Sequence, residues 1–262
     1  LRLGAEAPRT SQPGIPAPDR GEYLHRVLDL VWAAIGDSAA LAALAPEPLA
    51  ACVERAAAEA LEVLRRAGRG VLDARSIERE RQRAVEVVLG MLARERERAP
   101  FRVLAREWEI EDRVAGVPIR LRIDRVDAVA DGRLAIVDYK TGASRALDWL
   151  GERAEPVQLF AYARALQARQ AGPVAALGNV HLVRRGQVYS AMTEADELLP
   201  DSKVAFDWAL LLRQWQGQIE RLARAFLRGE AGVEPIAQAC RRCHLHGACR
   251  RAELGVGGSF DG

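Results

Sequence analysis

The chain has 262 residues, of which 49% are hydrophobic and 28% are charged, and this balance is typical of a globular protein rather than a disordered or fibrous one. No apolar run approaches the ~20 residues that a transmembrane helix requires, so we expect no membrane partner. The formal net charge of +2 gives no case for a strongly basic protein, and any basic surface would have to be local.

Three helices are predicted in the first hundred residues. An irregular segment with four prolines occupies residues 1–20, and residues 21–100 then form a helical region. The second and third helices of this region are expected at 46–68 and at about 76–98. The first is indicated by apolar residues at helical spacing, which are Leu24, Leu28, Val31 and Ile35.

The rest of the chain alternates between strands and helices. This order of elements predicts a mixed α/β core at residues 101–230, followed by a cysteine-rich tail at residues 231–262. We expect a central mixed sheet flanked by helices in one compact unit. The predicted elements are strands at 101–113, 117–130 and 133–140, a helix at 155–170, strands at 176–183 and 186–192, and a helix from about 202 to 228.

Asp138 and Lys140 lie two residues apart on the third strand, so their side chains point to the same face. An aspartate and a lysine at this spacing are most often a surface ion pair. The composition favours a functional role for Lys140, because the chain has 36 arginines and only two lysines, Lys140 and Lys203. A compact ammonium can approach a water or a phosphate oxygen as a point charge, which a planar guanidinium does less well.

The position of Asp124 depends on the turn between the second and third strands. A two-residue turn at Asp131-Gly132 would pair Asp124 with Tyr139 and direct it away from Asp138. A three-residue loop at 130–132, with Gly132 in the left-handed conformation, pairs Asp124 with Asp138. We predict the three-residue loop.

Two carboxylates that converge at the end of a strand repel each other unless a cation lies between them. Mg²⁺ or Mn²⁺, which prefer oxygen ligands, suit such a site. The ion could polarise a phosphoryl oxygen, while Lys140 orients a water or offsets developing negative charge. Asp124, Asp138 and Lys140 are therefore the predicted catalytic residues.

Four motifs follow one another along residues 21–163, namely GEYLHRVL, RLRIDRVD, AIVDYKTG and QLFAYA. In content and order they resemble the PD-(D/E)XK nuclease superfamily, specifically its RecB/AddB-like branch, with the restriction-endonuclease-like fold. That branch has the pattern G-x-x-x-H-x-x-L, G-x-I-D-R-x-D, D-Y-K-[TS]-G and Q-L-x-x-Y-A. One departure is Leu121, where family members often have glycine. Its side chain should point into the core, so this departure is compatible with activity.

The resemblance implies a role for each matching residue. It makes Lys140 the catalytic lysine, and it places Gln158 and Tyr162 on one helical face where they line the active site or contact DNA. The implied metal ligands are the side chains of His25, Asp124 and Asp138 and the backbone carbonyl of Tyr139. A histidine beside an apolar helical stripe is by itself more often a packing residue, but the other three motifs favour ligation. Glu107 and Asp127 are expected to face solvent or to pair with arginines, although either could approach the metal.

The tail sequence CRRCHLHGACR places Cys240, Cys243 and Cys249 within ten residues, a spacing typical of metal or cluster ligands in a reducing cytoplasm. The resemblance implies a 4Fe-4S cluster that these cysteines share with one upstream cysteine. That fourth ligand is either Cys52, which we expect to be a buried structural thiol, or a residue that precedes this chain. Zinc bound by the three cysteines with His244 or His246 is the competing possibility.

The sequence thus predicts a Mg²⁺-dependent DNA nuclease domain, with exonuclease action as the expected mode, in the cytoplasm. The chain begins with Leu, and we expect it to be the C-terminal part of a longer helicase-nuclease-like protein of DNA repair or recombination. The expected partners are DNA and an upstream helicase-like region or a partner subunit. One alternative is a catalytically weak or inactive DNA-binding module of the same fold. A helical interaction protein is a third reading, which leaves the order of the four motifs unexplained.

Overall fold

The computed structural model describes residues 15–67, 73–129, 131–142, 149–150, 157–184, 188–195 and 198–230, and positions 232 and 243. The helices are α1 (Ala17–Ile35), α2 (Ser38–Ala43), α3 (Pro46–Arg66), α4 (Ala74–Glu95), α5 (Val157–Ala168) and α6 (Trp208–Arg228). The strands are β1 (Phe101–Val114), β2 (Val117–Val129), β3 (Leu134–Lys140), β4 (Val174–His181), β5 (Val188–Thr193) and β6 (Lys203–Val204).

The predicted N-terminal helices are present, with corrections at their ends. α1 begins at Ala17, inside the segment expected to be irregular, because Pro18 lies in the first turn, where a missing N–H breaks no hydrogen bond. α4 begins two residues before the predicted Ser76, since the Asp73 carboxylate accepts from the Ser76 amide at 2.6 Å and caps the helix. The short α2, capped by Asp37, was not predicted.

The six strands form one mixed sheet in the order β1-β2-β3-β4-β5-β6, as expected for a mixed α/β core. β1, β2 and β3 are antiparallel neighbours, β3 and β4 are parallel, and β4 and β5 are again antiparallel. The two-residue β6 was not predicted, because residues 203–204 were assigned to the start of the last helix. That helix begins at Trp208, where Asp207 accepts from the Leu210 amide at 2.8 Å.

The β2–β3 register confirms the predicted loop. Arg125 pairs with Val137 and Ala128 with Leu134, so the same register places Asp124 opposite Asp138. The Val129 amide donates to the Arg133 carbonyl at 2.9 Å, which closes the hairpin around residues 130–132. Gly132 has φ of +81°, a conformation that glycine adopts without steric cost.

Two apolar layers enclose the sheet. Residues of α1, α3 and α4 form one core with Ala135, Val137 and Tyr139 of β3. Residues of α5 and α6 form the other core with Leu134 and Ile136 of the same strand. β3 is therefore buried on both faces, as the central strand of a covered sheet should be. Within the described ranges, no helix is long and apolar enough to cross a bilayer.

A buried cluster of four charges lies between α4 and the sheet, and we call Glu95, Arg98, Arg125 and Asp127 the ion cluster. Both arginines contact both carboxylates at 2.7–3.0 Å, and all four side chains are fully buried. Asp127 thus pairs with arginines as expected, but it does not face solvent. Burial alone would raise the pKa of Glu95, yet the charges of Arg125 and Arg98 outweigh it and lower the pKa to about 2.

Arg125→Met should destabilise the protein by about 3–5 kcal/mol, because it leaves Glu95 and Asp127 with one arginine between them in a buried site. Thermal or denaturant unfolding measures the change. The matched control is Arg120→Met on the same strand, whose exposed ion pair with Glu111 spans 3.5 Å and should contribute about 0–1 kcal/mol. Equal losses in the two variants would contradict a stabilising role for the ion cluster.

Candidate active site

The residues of the four sequence motifs converge from α1, β2, β3 and α5. His25 lies beside the buried stripe of α1, which packs on the α3–α4 side of the sheet. Asp124 comes from β2, and Asp138 and Lys140 come from β3. Gln158 lies in the first turn of α5, which packs on the opposite side of the sheet. The sheet thus brings together side chains from both layers.

Tyr139 is the residue around which Asp124 and His25 are arranged. Its backbone amide donates to Asp124 Oδ2 at 2.7 Å, and its carbonyl oxygen lies 3.0 Å from His25 Nε2. The other ring nitrogen, Nδ1, lies 3.3 Å from Asp124 Oδ1. The histidine, the carbonyl and the carboxylate predicted as metal ligands therefore meet, although the imidazole and the carbonyl contact each other directly.

Carboxylates lie close to the imidazole of His25. Burial lowers the pKa of its imidazole, but the carboxylates of Asp124, Glu107 and Asp138 outweigh burial and raise the pKa above its usual value. Arg122 offsets part of the charge of Glu107, and Lys140 offsets part of the charge of Asp138. Asp124 and Glu107 still lie beside the imidazole in a largely buried space, and carboxylates that converge in this way favour a cation between them.

Glu107 is the site residue that sequence reasoning did not assign. His25, Glu107 and Asp124 each offer a ligand atom within 4.8 Å of the others, and we call these three residues the ligand group. Glu107 has φ of +44°, which is uncommon for a residue other than glycine. Its carboxylate also lies 3.2 Å from Arg122 Nε.

A sequence signal for Glu107 existed in the β1–β2 turn. Val114 pairs with Val117, so the turn is the two residues Ala115 and Gly116, both with positive φ. Continuing that register places Glu107 opposite Asp124, and opposite residues of antiparallel strands are close neighbours. Counting back from this tight turn would have found the pair.

Asp138 and Lys140 form the second part of the site. The Lys140 ammonium contacts Asp138 Oδ2 and donates to Gln158 Oε1 at 2.8 Å. Burial and the nearby charge of Asp124 raise the pKa of Asp138 to about 6, although Lys140 acts in the opposite direction. Asp138 does not belong to the ligand group, since its carboxylate is directed at Lys140. It is nonetheless close enough to Asp124 for the two charges to interact.

Gln158 and Tyr162 continue this chain of contacts. The Gln158 amide nitrogen donates to the Tyr162 hydroxyl, and that hydroxyl donates to the Arg122 carbonyl at 2.6 Å. The two residues are one turn apart on α5, as their spacing predicted. Lys140 is thereby connected through α5 to β2.

The cysteine tail falls almost entirely outside the described residues. Cys240 and Cys249 are not described, and neither are His244 and His246. Cys243 is described as an exposed position only. Cys52 lies on α3 and is half-buried rather than fully buried, so the expectation of a buried thiol is only partly met.

Comparisons with known proteins bear on the family of the chain. Among curated proteins, none matches it closely enough to count as a relative. A crystal structure from Eubacterium rectale described as a "putative exonuclease" is similar to it, with 12% identity, coverage of 79% of this chain and 72% of that chain, and a TM-score of 0.39. At that score the likeness supports no conclusion here.

The family of the chain is shown instead by a match to a family model. The model of the PD-(D/E)XK nuclease superfamily matches residues 1–250, which is nearly the whole chain. Members of this superfamily hydrolyse phosphodiester bonds with the help of divalent metals, in agreement with the ligand group of His25, Glu107 and Asp124. The chain therefore belongs to the PD-(D/E)XK nuclease superfamily.

Proposed function

We propose that the chain is a Mg²⁺-dependent DNA nuclease domain of the RecB/AddB-like branch, acting as an exonuclease in the cytoplasm. It would form the C-terminal part of a helicase-nuclease-like protein of DNA repair or recombination, together with an upstream helicase-like region or a partner subunit. The observation that supports this most is the meeting of His25 and Asp124 with Asp138 and Lys140 at one place on the sheet.

The residues present fit a divalent cation. An imidazole and two carboxylates have ligand atoms within 4.8 Å, and the Asp138 carboxylate lies close enough to be affected by Asp124. Oxygen donors with one nitrogen suit Mg²⁺ or Mn²⁺. We assign His25, Asp124 and Glu107 as holding residues, with Asp138 and the Tyr139 carbonyl completing the set. When bound, the ion supplies Lewis-acid polarisation of the scissile phosphodiester.

Lys140 acts on the reacting phosphate through its charge. Its ammonium is held between Asp138 and Gln158, and about a third of the side chain is exposed. A positive charge at this place offsets the negative charge that develops on the phosphoryl oxygens during attack, and it can orient the attacking water. Gln158 positions the ammonium, and Tyr162 positions Gln158.

The alternative is a catalytically weak or inactive DNA-binding module of the same fold. One observation favours it, namely that the Asp138 carboxylate is directed at Lys140 and lies outside the ligand group. In an active enzyme, the bound ion would have to compete with Lys140 for this carboxylate.

We propose in addition that Cys240, Cys243 and Cys249 hold a 4Fe-4S cluster in the intact protein, with a fourth cysteine upstream. The support is their spacing within ten residues. Protein purified without air should be brown, with iron and sulfide in equal amounts, and Cys243→Ser should lose both. Stoichiometric zinc without iron would instead favour a site completed by His244 or His246.

Mn²⁺ should raise the melting temperature of the wild-type domain, because an ion that binds only the folded state stabilises it, by about 2.7 kcal/mol at 100 times its Kd. Differential scanning calorimetry measures the shift. Asp124→Asn should abolish it, since one ligand oxygen is lost. Asp131→Asn, which changes an exposed aspartate in the same hairpin, should retain it. The metal assignment is wrong if Asp124→Asn responds to Mn²⁺ as the wild type does.

Wild-type protein should cleave linear DNA in the presence of Mg²⁺ or Mn²⁺, and Lys140→Ala and Asp138→Ala should each lower the rate at least about 100-fold. Time courses on single- and double-stranded substrates measure this. Lys203→Ala is the matched control, because it removes the only other lysine, an exposed residue on β6. DNA that the wild type binds but leaves uncut would favour the binding module.

A further inference from the structure

A pocket opens directly beside the ligand group. Its volume is about 280 Å³, and its walls come from α1, the last turns of α3, and the facing strands β1 and β2. His25 and Glu107 belong both to its lining and to the ligand group. A molecule held in the pocket would therefore be in contact with the residues proposed to hold the metal.

The buried part of the pocket lining, which we call the floor, is apolar. It consists of Ala60 and Leu64 of α3 and Tyr23 of α1, whose hydroxyl donates to the Ala57 carbonyl at 3.1 Å. Val63 of α3 also lines the pocket and is 52% exposed, so we place it at the opening. An apolar surface of this kind receives a flat aromatic group more readily than a charged one.

The rim of the pocket is charged. Arg26 and Arg122 are both about half exposed, and their guanidinium groups can stack on a ring or bind a phosphate oxygen. Glu22 and Glu109 also line the rim, and carboxylates accept hydrogen bonds from exocyclic amino groups of bases. An apolar floor with such a rim has the chemistry of a nucleobase site.

We propose that this pocket binds one unstacked nucleobase of a DNA single strand, next to the phosphodiester that the site cleaves. The inference rests on the proposed nuclease function and adds that the substrate strand is unpaired at the site of cleavage. The volume lies slightly below the ~300–1,000 Å³ of typical small-molecule pockets and suits one base better than a longer piece of DNA. A base in a duplex is stacked between its neighbours and paired along its edge, so it can reach the apolar floor only after it has left the helix. A duplex end therefore has to separate before it is cut.

The test uses single-stranded DNA oligonucleotides of one sequence, each with one abasic residue at a different position. For the wild type, one abasic position should lower the rate of cleavage at the neighbouring phosphodiester at least about fivefold, the lower end of what stacking on one base contributes. Other abasic positions should change the rate less.

Two variants assign the effect to the pocket. Val63→Trp fills the opening, so it should lower the rate on intact DNA and make it insensitive to the abasic residue. Its fold should be preserved because Val63 is largely exposed, and thermal unfolding checks this. Ala58→Trp places the same side chain at an exposed position of α3 outside the pocket lining, and it should keep the wild-type sensitivity.

Each outcome either supports or overturns the proposed base-binding pocket. A wild type that cleaves every abasic oligonucleotide at one rate overturns the pocket inference and leaves the nuclease function intact. So does a Val63→Trp variant as sensitive to the abasic residue as the wild type. If the wild type cleaves none of the oligonucleotides, the proposed nuclease function is wrong. The pocket is then tested by measuring equilibrium binding of the same abasic oligonucleotides to the protein in Ca²⁺. Position-dependent loss of binding that Val63→Trp removes supports the pocket, and uniform binding overturns it.

Discussion

The hydrogen bond from the Tyr139 amide to Asp124 Oδ2 is the contact on which the site depends. It exists because the β2–β3 register places Asp124 opposite Asp138, one residue from Tyr139. In a strand pair, a slip of one residue moves every side chain to the other face. A slip of one residue between β2 and β3 would direct Asp124 away from His25, and the ligand group would not form. A loop of three residues ending in Gly132 thus determines whether the residues of the candidate site meet.

Tyr139 also connects the site to the stability of the domain. Its backbone contacts Asp124 and His25, while its hydroxyl accepts from Arg125 Nη1 at 3.0 Å. Arg125 belongs to the ion cluster, which joins α4 to β2, and its guanidinium lies 4.5 Å from the centre of the Trp32 ring of α1. The helix that carries His25 and the strand that carries Asp124 are therefore held by the same buried arginine. Loss of the ion cluster should loosen the site as well as the fold.

The placement of Asp124, Asp138 and Lys140 in the candidate site could be predicted from local rules of strand spacing and turn geometry, whereas His25 was included because of the family resemblance. The spacing of Asp138 and Lys140 and the glycine in the 130–132 loop were sufficient to place Asp124. Glu107 was named only as a residue that could approach the metal, because its position follows from a second hairpin whose register was not worked out. The burial of Asp127 was missed because an aspartate is buried only when long-range partners such as Arg98 neutralise it, and no local pattern reveals them. Helix starts were wrong where a proline or an aspartate cap set the boundary.

The proposed nuclease depends on one divalent ion held by His25, Glu107, Asp124 and Asp138, with the Lys140 ammonium beside it. Anomalous diffraction from crystals soaked in Mn²⁺ tests it most directly, because it locates the ion without reference to activity. We predict a single strong peak in contact with His25, Glu107 and Asp124 and within reach of Asp138, with the Lys140 ammonium nearby. A strong peak elsewhere together with none at these residues, or an Asp124 carboxylate turned away from Asp138, would contradict the account.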